Sequence, residues 1–232
     1  MRRVVVTGAS RGLGLEFTRQ LLACGDRVVA ACRDPQRAEA LKALADAHPD
    51  RVHVLTLDVT DRSAIAAFAQ EAAHVFDGID LLLNNAGKLV RGERFGGVEA
   101  ASLHSSFATN AAGPFLLTQA LAPLLAKGDR PIVANISSQL GSIARTDSFY
   151  TPTYAISKAA LNMATVLLAH GLADTGTRVI AFHPGWVKTA MGGAEAPLVA
   201  SVSVAGMLNV ISELKKEDSG IFVDYQGKSM PW

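Results

Sequence analysis

Short runs of apolar and β-branched residues recur along the chain, and each run ends in a polar or glycine-containing turn. The runs are apolar at successive positions, which is typical of strands buried on both faces of a parallel sheet. The predicted strands are Val4–Thr7, Arg27–Cys32, Val52–Leu57, Ile79–Leu83, Pro131–Ile136, Arg178–Phe182 and Ile221–Val223.

Segments with helical periodicity lie between these strands. They are Leu13–Cys24, Pro35–Ala47, Arg62–Phe76, Ala100–Leu125, Thr153–Ala173 and Val202–Leu214. Regular alternation of strand and helix favours an α/β fold with a doubly wound, mostly parallel seven-stranded sheet flanked by helices. No low-complexity linker interrupts the pattern, so residues 1–232 are predicted to form a single domain.

Three less regular segments each follow a predicted strand: Gly87–Gly97, Gly141–Pro152 and Met191–Ala200. Ligands of open α/β sheets bind beyond the carboxyl ends of the strands. We therefore expect these segments to rim a binding crevice.

Composition narrows the class of protein. The chain is 49% hydrophobic and carries a net charge of +1, which predicts a large core and argues against nucleic acid or membrane partners. Cys24, Cys32 and the six histidines show no metal-ligand spacing, so no metal site is predicted. The N-terminal apolar run is too short for a signal peptide, and no run approaches a membrane span. A cytoplasmic protein is expected.

A glycine-rich turn, Thr7-Gly8-Ala9-Ser10-Arg11-Gly12-Leu13-Gly14, joins the first strand to the first helix. Gly8 permits a tight turn, Gly12 lets the backbone approach a pyrophosphate, and Gly14 lets the helix lie close to the strand. The helix N-terminus offers free N–H groups to the anion. We predict a dinucleotide site with Gly8, Ser10, Arg11, Gly12, Leu13 and Gly14; a plain structural turn is the alternative.

Tyr154 and Lys158 are four residues apart in a predicted helix and therefore share one face. A nearby ammonium group is expected to lower the phenol pKa from about 10 toward the range of an acid–base catalyst. An exposed pair without a role is the alternative. Ser138 follows a predicted strand, from which its hydroxyl can reach the crevice.

Several further motifs occur in order along the chain: Asp58-Val59, Asn84-Asn85-Ala86-Gly87, Asn110, Ile136-Ser137-Ser138 and Pro184-Gly185-Trp186-Val187-Lys188-Thr189. With the glycine turn and the Tyr154/Lys158 pair, they resemble the short-chain dehydrogenase/reductase family over essentially the whole length. The finer resemblance is to its small carbonyl-reductase-like branch, which also contains a cell-contact signalling protein, C-factor. The resemblance implies a Rossmann fold.

The resemblance also implies four catalytic residues: Asn110, Ser138, Tyr154 and Lys158. Ser138 and Tyr154 would hold the substrate carbonyl oxygen, and Tyr154 would transfer the proton. Lys158 would bond the nicotinamide ribose, and Asn110 would support a water of the proton relay. For Asn110, a structural helix irregularity is the alternative.

By the same resemblance, the cofactor contacts extend to Tyr154, Lys158, Asp58, Val59, Asn84, Ala86, Gly87, Pro184, Gly185, Trp186, Val187 and Thr189. Asp58 would accept a hydrogen bond from the adenine amino group; a helix cap near Thr60 is the alternative. For the Pro184-Gly185 pair, a plain turn is the alternative. The amides of the Asn84-Asn85 pair can tie neighbouring strand ends as well as line the ribose side.

The predicted cofactor is NADP(H) rather than NAD(H). The second strand ends in the neutral Cys32 and is followed by Arg33, where an NAD site would place an acid. Arg11 can reach the same 2′-phosphate. Asp34 precedes Pro35 and is expected to cap the next helix. A solvated surface charge is the alternative for Arg33.

These inferences predict an NADPH-dependent oxidoreductase that converts a small-molecule aldehyde or ketone to an alcohol. The alternative is a nucleotide-binding signalling protein of the C-factor type with little turnover. The segment between Ser138 and Tyr154 is longer than is usual in the family, which leaves the substrate shape open. A homodimer or homotetramer is expected by family analogy through the two long apolar helices.

Overall fold

The computed structural model describes residues 1–232 and contains one seven-stranded sheet. Its strands are β1 (Arg3–Thr7), β2 (Arg27–Cys32), β3 (Val52–Thr56), β4 (Leu81–Asn84), β5 (Ile132–Ile136), β6 (Arg178–His183) and β7 (Ile221–Asp224). All neighbouring strands are parallel, in the order β3-β2-β1-β4-β5-β6-β7. The order reverses between β1 and β4, which is the point at which open α/β sheets bind ligands beyond the carboxyl ends of their strands. The predicted fold class is confirmed.

Seven α-helices cover the two faces of the sheet. They are α1 (Gly12–Ala23), α2 (Glu39–Ala47), α3 (Arg62–Val75), α4 (Ala100–Phe107), α5 (Gly113–Leu125), α6 (Pro152–Gly171) and α7 (Ala200–Glu213). Helices α1, α2 and α7 contribute to one core, whereas α3, α5 and α6 contribute to the other. Val4 and Val6 of β1 belong to the first core and Val5 to the second, because successive strand side chains point to opposite faces.

The structure divides two predicted helices. The segment Ala100–Leu125 consists of α4, a π-helical turn at Ala108–Ala112, and α5. Residues Pro35–Arg37 form a 3₁₀ turn before α2, because Ala38 adopts a non-helical conformation (φ −95°, ψ 60°). None of the helices combines the length and apolar character that crossing a lipid bilayer requires.

Candidate active site

The glycine turn between β1 and α1 has the backbone shape that its sequence predicts. Gly8 and Gly12 are left-handed, with φ of +65° and +57°. A Cβ on Gly14 would lie 2.2 Å from the Gly8 carbonyl oxygen, so only glycine allows α1 to start this close to the loop. Ser10 lies within the turn, and Leu13 is in the first turn of the helix.

The N-terminus of α1 is open to an anion. Arg11, which precedes the helix, makes no capping hydrogen bond with its side chain, and the first turn contains no acidic residue. The first N–H groups and the positive end of the helix dipole are thus left for a ligand. This arrangement fits the pyrophosphate of a dinucleotide.

The end of β4 is tied to the glycine turn. Thr7 Oγ1 accepts hydrogen bonds from the N–H groups of Asn85 (2.9 Å) and Ala86 (3.0 Å). The Asn85 amide donates to the carbonyl oxygens of Thr7 (2.9 Å) and Gly8 (3.2 Å). These bonds hold Ala86 and the following Gly87 beside the phosphate-binding turn.

Asn84 bonds to two neighbouring elements. Its buried amide donates to Asn135 Oδ1 of β5 (2.8 Å) and to Thr118 Oγ1 of α5 (3.2 Å). Asn84 thus ties strand and helix together, which is one of the two roles expected of these amides, and its place on the ribose side of a cofactor stays a prediction.

Ser138, Tyr154 and Lys158 meet at the carboxyl end of β5. Lys158 Nζ lies 5.5 Å from the centre of the Tyr154 ring and donates to the Ile136 carbonyl oxygen at 2.7 Å. Ser138 lies close enough to the Tyr154 hydroxyl to oppose the rise of its pKa. A Cβ on Gly141 would lie 2.6 Å from the Lys158 carbonyl carbon, so the segment after Ser138 packs directly on α6.

Burial governs the ionisation of this cluster. It raises the pKa of Tyr154 to about 12, against the opposing effect of the Ser138 hydrogen bond. It also lowers the pKa of Lys158 to about 7. The prediction that Lys158 lowers the phenol pKa is therefore wrong for this structure, since desolvation raises that pKa and Lys158 is itself partly neutral near pH 7. Tyr154 keeps its proton at neutral pH, as a general acid must.

Asn110 lies at the centre of the π-helical turn and is fully buried. Its Oδ1 accepts from the Lys88 N–H at 2.8 Å, and its Nδ2 donates to the Lys88 carbonyl oxygen at 2.8 Å. Nδ2 also donates to Ser157 Oγ at 2.9 Å, and Ser157 in turn donates to the Tyr154 carbonyl oxygen at 2.7 Å. Asn110 thus connects the segment after β4 to the helical turn of Tyr154.

The segment after β6 crosses the crevice. A Cβ added to Gly12 would lie 3.6 Å from the side chain of Thr189. A Cβ added to Gly87 would lie 3.8 Å from the side chain of Met191. The Arg91 guanidinium donates to the Met191 carbonyl oxygen. The segment from Pro184 to Met191 therefore faces the glycine turn through Thr189 and the end of β4 through Met191.

Hydrogen bonds and a left-handed glycine hold the shape of the segment Pro184–Thr189. The Pro184 carbonyl oxygen accepts from Ser203 Oγ of α7 at 2.6 Å. Gly185 is left-handed with φ of +82°, as expected for a turn. Trp186 is exposed, and its indole N–H donates to the Gly192 carbonyl oxygen at 2.8 Å, whereas Val187 is buried.

Two arginines stand near the expected adenosine end of the crevice. Arg11 and Arg33 are both exposed. The pKa of Asp58 is lowered mainly by the hydrogen bond from the Thr60 N–H (2.9 Å), and the charge of Arg33 contributes in the same direction. Val59 beside it is buried. Arg33 therefore lies close enough to bias this end of the crevice toward anions.

The helix cap that was the alternative for Asp58 is not found, and the cap expected of Asp34 is wrong. Asp61, not Asp58, caps α3, because its carboxylate accepts from the Ser63 N–H at 2.7 Å. Asp34 makes no capping hydrogen bond and instead lies 3.9 Å from Arg37 on the surface.

Two residues that were not predicted from the sequence, Ser137 and Asn162, fix the segment around Ser138 against α6. Ser137 Oγ donates to Asn162 Oδ1 at 2.6 Å, and Asn162 Nδ2 donates to the Gly141 carbonyl oxygen at 3.1 Å. The available signal was spacing, because Asn162 continues the four-residue stripe of Tyr154 and Lys158 along one face of the helix.

His183, at the end of β6, is expected to make the free energy of unfolding depend on pH. Its Nδ1 accepts from the Gln139 N–H at 3.2 Å, and burial lowers its pKa from 6.5 to about 4, with Asp224 opposing and Arg145 assisting. Between about pH 6.5 and 4, the unfolded chain therefore binds more protons than the folded chain. The folded state loses stability as pH falls through that window. Partial solvent screening limits the loss to about 1–2 kcal/mol.

Urea unfolding at several pH values measures this loss. His183→Asn retains a side-chain acceptor without titrating and should remove most of the pH dependence. His170→Asn, at an exposed position of α6, should leave it intact. If the free energy of unfolding depends on pH equally in wild type and in His183→Asn, His183 is not the group responsible.

Comparison with known proteins agrees with this geometry. The profile of the family described as short chain dehydrogenase matches residues 2–197. The NADPH-bound carbonyl reductase from chicken fatty liver is 39% identical with a TM-score of 0.95, covering 100% of this chain and 99% of that chain. The carbonyl reductase Sniffer of D. melanogaster is 33% identical with a TM-score of 0.96, covering 100% of both chains. C-signal of Myxococcus xanthus is 43% identical over 154 residues, which are 66% of this chain and 93% of that protein. The chain belongs to the short-chain dehydrogenase family.

Proposed function

We propose that this protein is an NADPH-dependent reductase that converts an aldehyde or ketone to an alcohol. The observation that carries the proposal is the convergence of Ser138, Tyr154 and Lys158 at the carboxyl end of β5, next to β4, where the strand order reverses. The carbonyl reductases of similar structure, one of them bound to NADPH, support it.

The cofactor would lie across the carboxyl ends of β1 and β4. The uncapped N-terminus of α1 would bind its pyrophosphate, Asp58 and Val59 its adenine, and Ala86 and Gly87 its adenosine ribose. The segment Pro184–Thr189 would cover the nicotinamide, and Lys158 would donate to the neighbouring ribose hydroxyls. When bound, NADPH supplies the hydride.

The substrate carbonyl oxygen would accept hydrogen bonds from the Ser138 and Tyr154 hydroxyls. These donors stabilise the negative charge that develops on that oxygen. The Tyr154 phenol then gives its proton to the same oxygen as the alcohol forms, and its pKa of about 12 keeps that proton available at neutral pH. Lys158, with a pKa of about 7, can pass a proton back toward the phenolate. Asn110 holds the turn of α6 from which Tyr154 projects.

NADPH should be strongly preferred over NADH, because Arg33 and Arg11 can pair with the 2′-phosphate. Arg33→Ala should raise the KM for NADPH by about 10- to 100-fold, the value of a charged hydrogen bond, and barely change that for NADH. Steady-state kinetics with both cofactors measure this. Arg37→Ala is the matched control, because Arg37 is an exposed arginine four residues after Arg33. Wild-type enzyme with equal efficiency on both cofactors would refute the preference.

The proposed activity is tested by NADPH oxidation with a panel of carbonyl compounds. The panel contains benzaldehyde, menadione, diacetyl and a ketosteroid, so that an aldehyde, a quinone, a diketone and a bulky ketone are each represented. Turnover of any of them above the rate without protein supports a reductase.

A second candidate function is signalling with little turnover. The similarity to C-signal favours it, because the match covers 93% of that protein. The same assay separates the two candidates, since a signalling protein would bind NADPH in a fluorescence titration without oxidising it with any carbonyl of the panel.

We also propose that the chain forms a homodimer or homotetramer through α6. Ile156, Met163 and Leu167 are all more than half exposed on this helix, and its only charged residue, Lys158, is buried. A second copy covering this face would remove the apolar surface from water. Light scattering of the purified chain measures the oligomeric state.

A further inference from the structure

The helix that carries Tyr154 and Lys158 begins without a cap of its own. Thr151 precedes α6 in a left-handed conformation (φ 42°, ψ 56°), whereas capping residues normally adopt an extended backbone. Its side chain makes no capping bond, and its hydroxyl oxygen is buried without a partner. Pro152, the first residue of the helix, has no N–H, so the first donor that needs a partner is the N–H of Thr153.

Glu93 supplies that partner from a distant segment of the chain. Its Oε2 accepts from Thr153 Oγ1 at 2.9 Å and from the Thr153 N–H at 3.4 Å. The hydroxyl of Ser106 in α4 donates to Thr153 Oγ1 at 3.4 Å. Because a carboxylate is favoured at the positive end of the helix dipole, Glu93 replaces the missing cap.

A second contact draws the same two segments together. The rings of Phe95 and Phe149 meet edge to face with their centres 5.6 Å apart. Phe95 lies two residues after Glu93, and Phe149 lies two residues before Thr151. Glu93 is therefore held by its own loop at the point where α6 begins.

This contact lies directly before the proposed acid. Tyr154 follows Thr153, and on its other side Ser157 donates to the Tyr154 carbonyl oxygen while accepting from Asn110 Nδ2. The first turn of α6 is thus fixed at both ends, by Glu93 before Tyr154 and by Asn110 after it. Misplacing a catalytic group by about 1 Å can cost roughly 100-fold in rate.

We propose that Glu93 is a positioning residue, which holds the first turn of α6 so that the Tyr154 phenol meets the substrate carbonyl oxygen. The inference rests on the proposed function of Tyr154. Glu93 does not touch substrate or cofactor in this role; it acts through Thr153. Its loss should therefore slow proton transfer without weakening NADPH binding.

The test compares Glu93→Ala and Glu93→Gln with the wild-type protein, using NADPH and the best carbonyl of the panel. Glu93→Ala should lower kcat by about tenfold, a fraction of the full misplacement effect, and leave the fluorescence-measured Kd for NADPH within about twofold. Glu93→Gln keeps an oxygen acceptor for Thr153 and should recover most of the rate. Glu99→Ala is the matched control, since Glu99 is an exposed glutamate before α4 that makes no side-chain cap.

The inference is overturned if Glu93→Ala keeps wild-type kcat, if Glu93→Gln is as slow as Glu93→Ala, or if Glu93→Ala loses NADPH affinity in proportion to kcat. If Glu93→Ala does not fold, Glu93→Asp replaces it. The shorter aspartate side chain keeps the negative charge but is too short to reach Thr153, so the same tenfold loss of kcat is expected. Wild-type protein that oxidises NADPH with no carbonyl of the panel would instead refute the proposed function, and an active Tyr154→Phe protein would refute the role of Tyr154, so these failures are distinguishable from that of Glu93.

Discussion

Tyr154→Phe is expected to lower the kcat for carbonyl reduction by roughly 100- to 10,000-fold, the usual contribution of a general acid. The substitution removes one hydroxyl and leaves the ring against Lys158, so the Kd for NADPH should stay within about threefold, less than 1 kcal/mol. Stopped-flow or steady-state NADPH oxidation measures the rate, and fluorescence titration measures the binding.

Tyr150→Phe provides the control, because Tyr150 lies four residues earlier on an exposed segment and should be dispensable. Turnover of Tyr154→Phe within about tenfold of wild type, a change of ~1.4 kcal/mol in the barrier, would show that another group donates the proton.

Gly14→Ala is expected to destabilise the fold by about 3 kcal/mol or more, at or above the upper end of ordinary overpacking. The added methyl group would lie 2.2 Å from the Gly8 carbonyl oxygen and 2.6 Å from the Asn85 amide nitrogen. Neither can move away freely, because Gly8 is backbone of the left-handed turn and Asn85 bonds both Thr7 and Gly8. Helix α1 must shift outward, which also displaces the N–H groups proposed for the pyrophosphate.

Urea unfolding measures the loss of stability, and NADPH titration measures the loss of affinity. Gly171→Ala is the control: this glycine ends α6 in open space, and a methyl group there meets nothing within 4 Å. If the free energy of unfolding of Gly14→Ala is less than about 1 kcal/mol below that of wild type, the turn relaxes at little cost and the prediction is wrong.

The order of strands and helices could be predicted from the sequence because it depends on local patterns. The apolar runs of β1 to β7 and the glycine punctuation after β1 are short-range features, and the predicted strands match the observed ones within a few residues. Asn110 offered a helix irregularity only as an alternative, and the π-helical form of the break in Ala100–Leu125 could not be predicted in this way. Apolar periodicity continues through the π-helical turn, and only the buried bonds of Asn110 to Lys88 and Ser157 mark it.

For the candidate site, spacing along the chain determined which groups are available: Tyr154 and Lys158 on one helical face, Ser138 after a strand, and glycines in the first turn. Tertiary structure decided how these groups behave. Asn84 and Asn85 are adjacent in sequence, yet one is buried against β5 and the other is bonded to the glycine turn, because successive residues at a strand end face opposite sides. Likewise the pKa of Tyr154 rises rather than falls, because desolvation depends on all the elements packed around it and not on the one lysine four residues away. Glu93 reaches Thr153 across 60 positions of sequence, a contact that exists only once both segments are folded against α4 and α6.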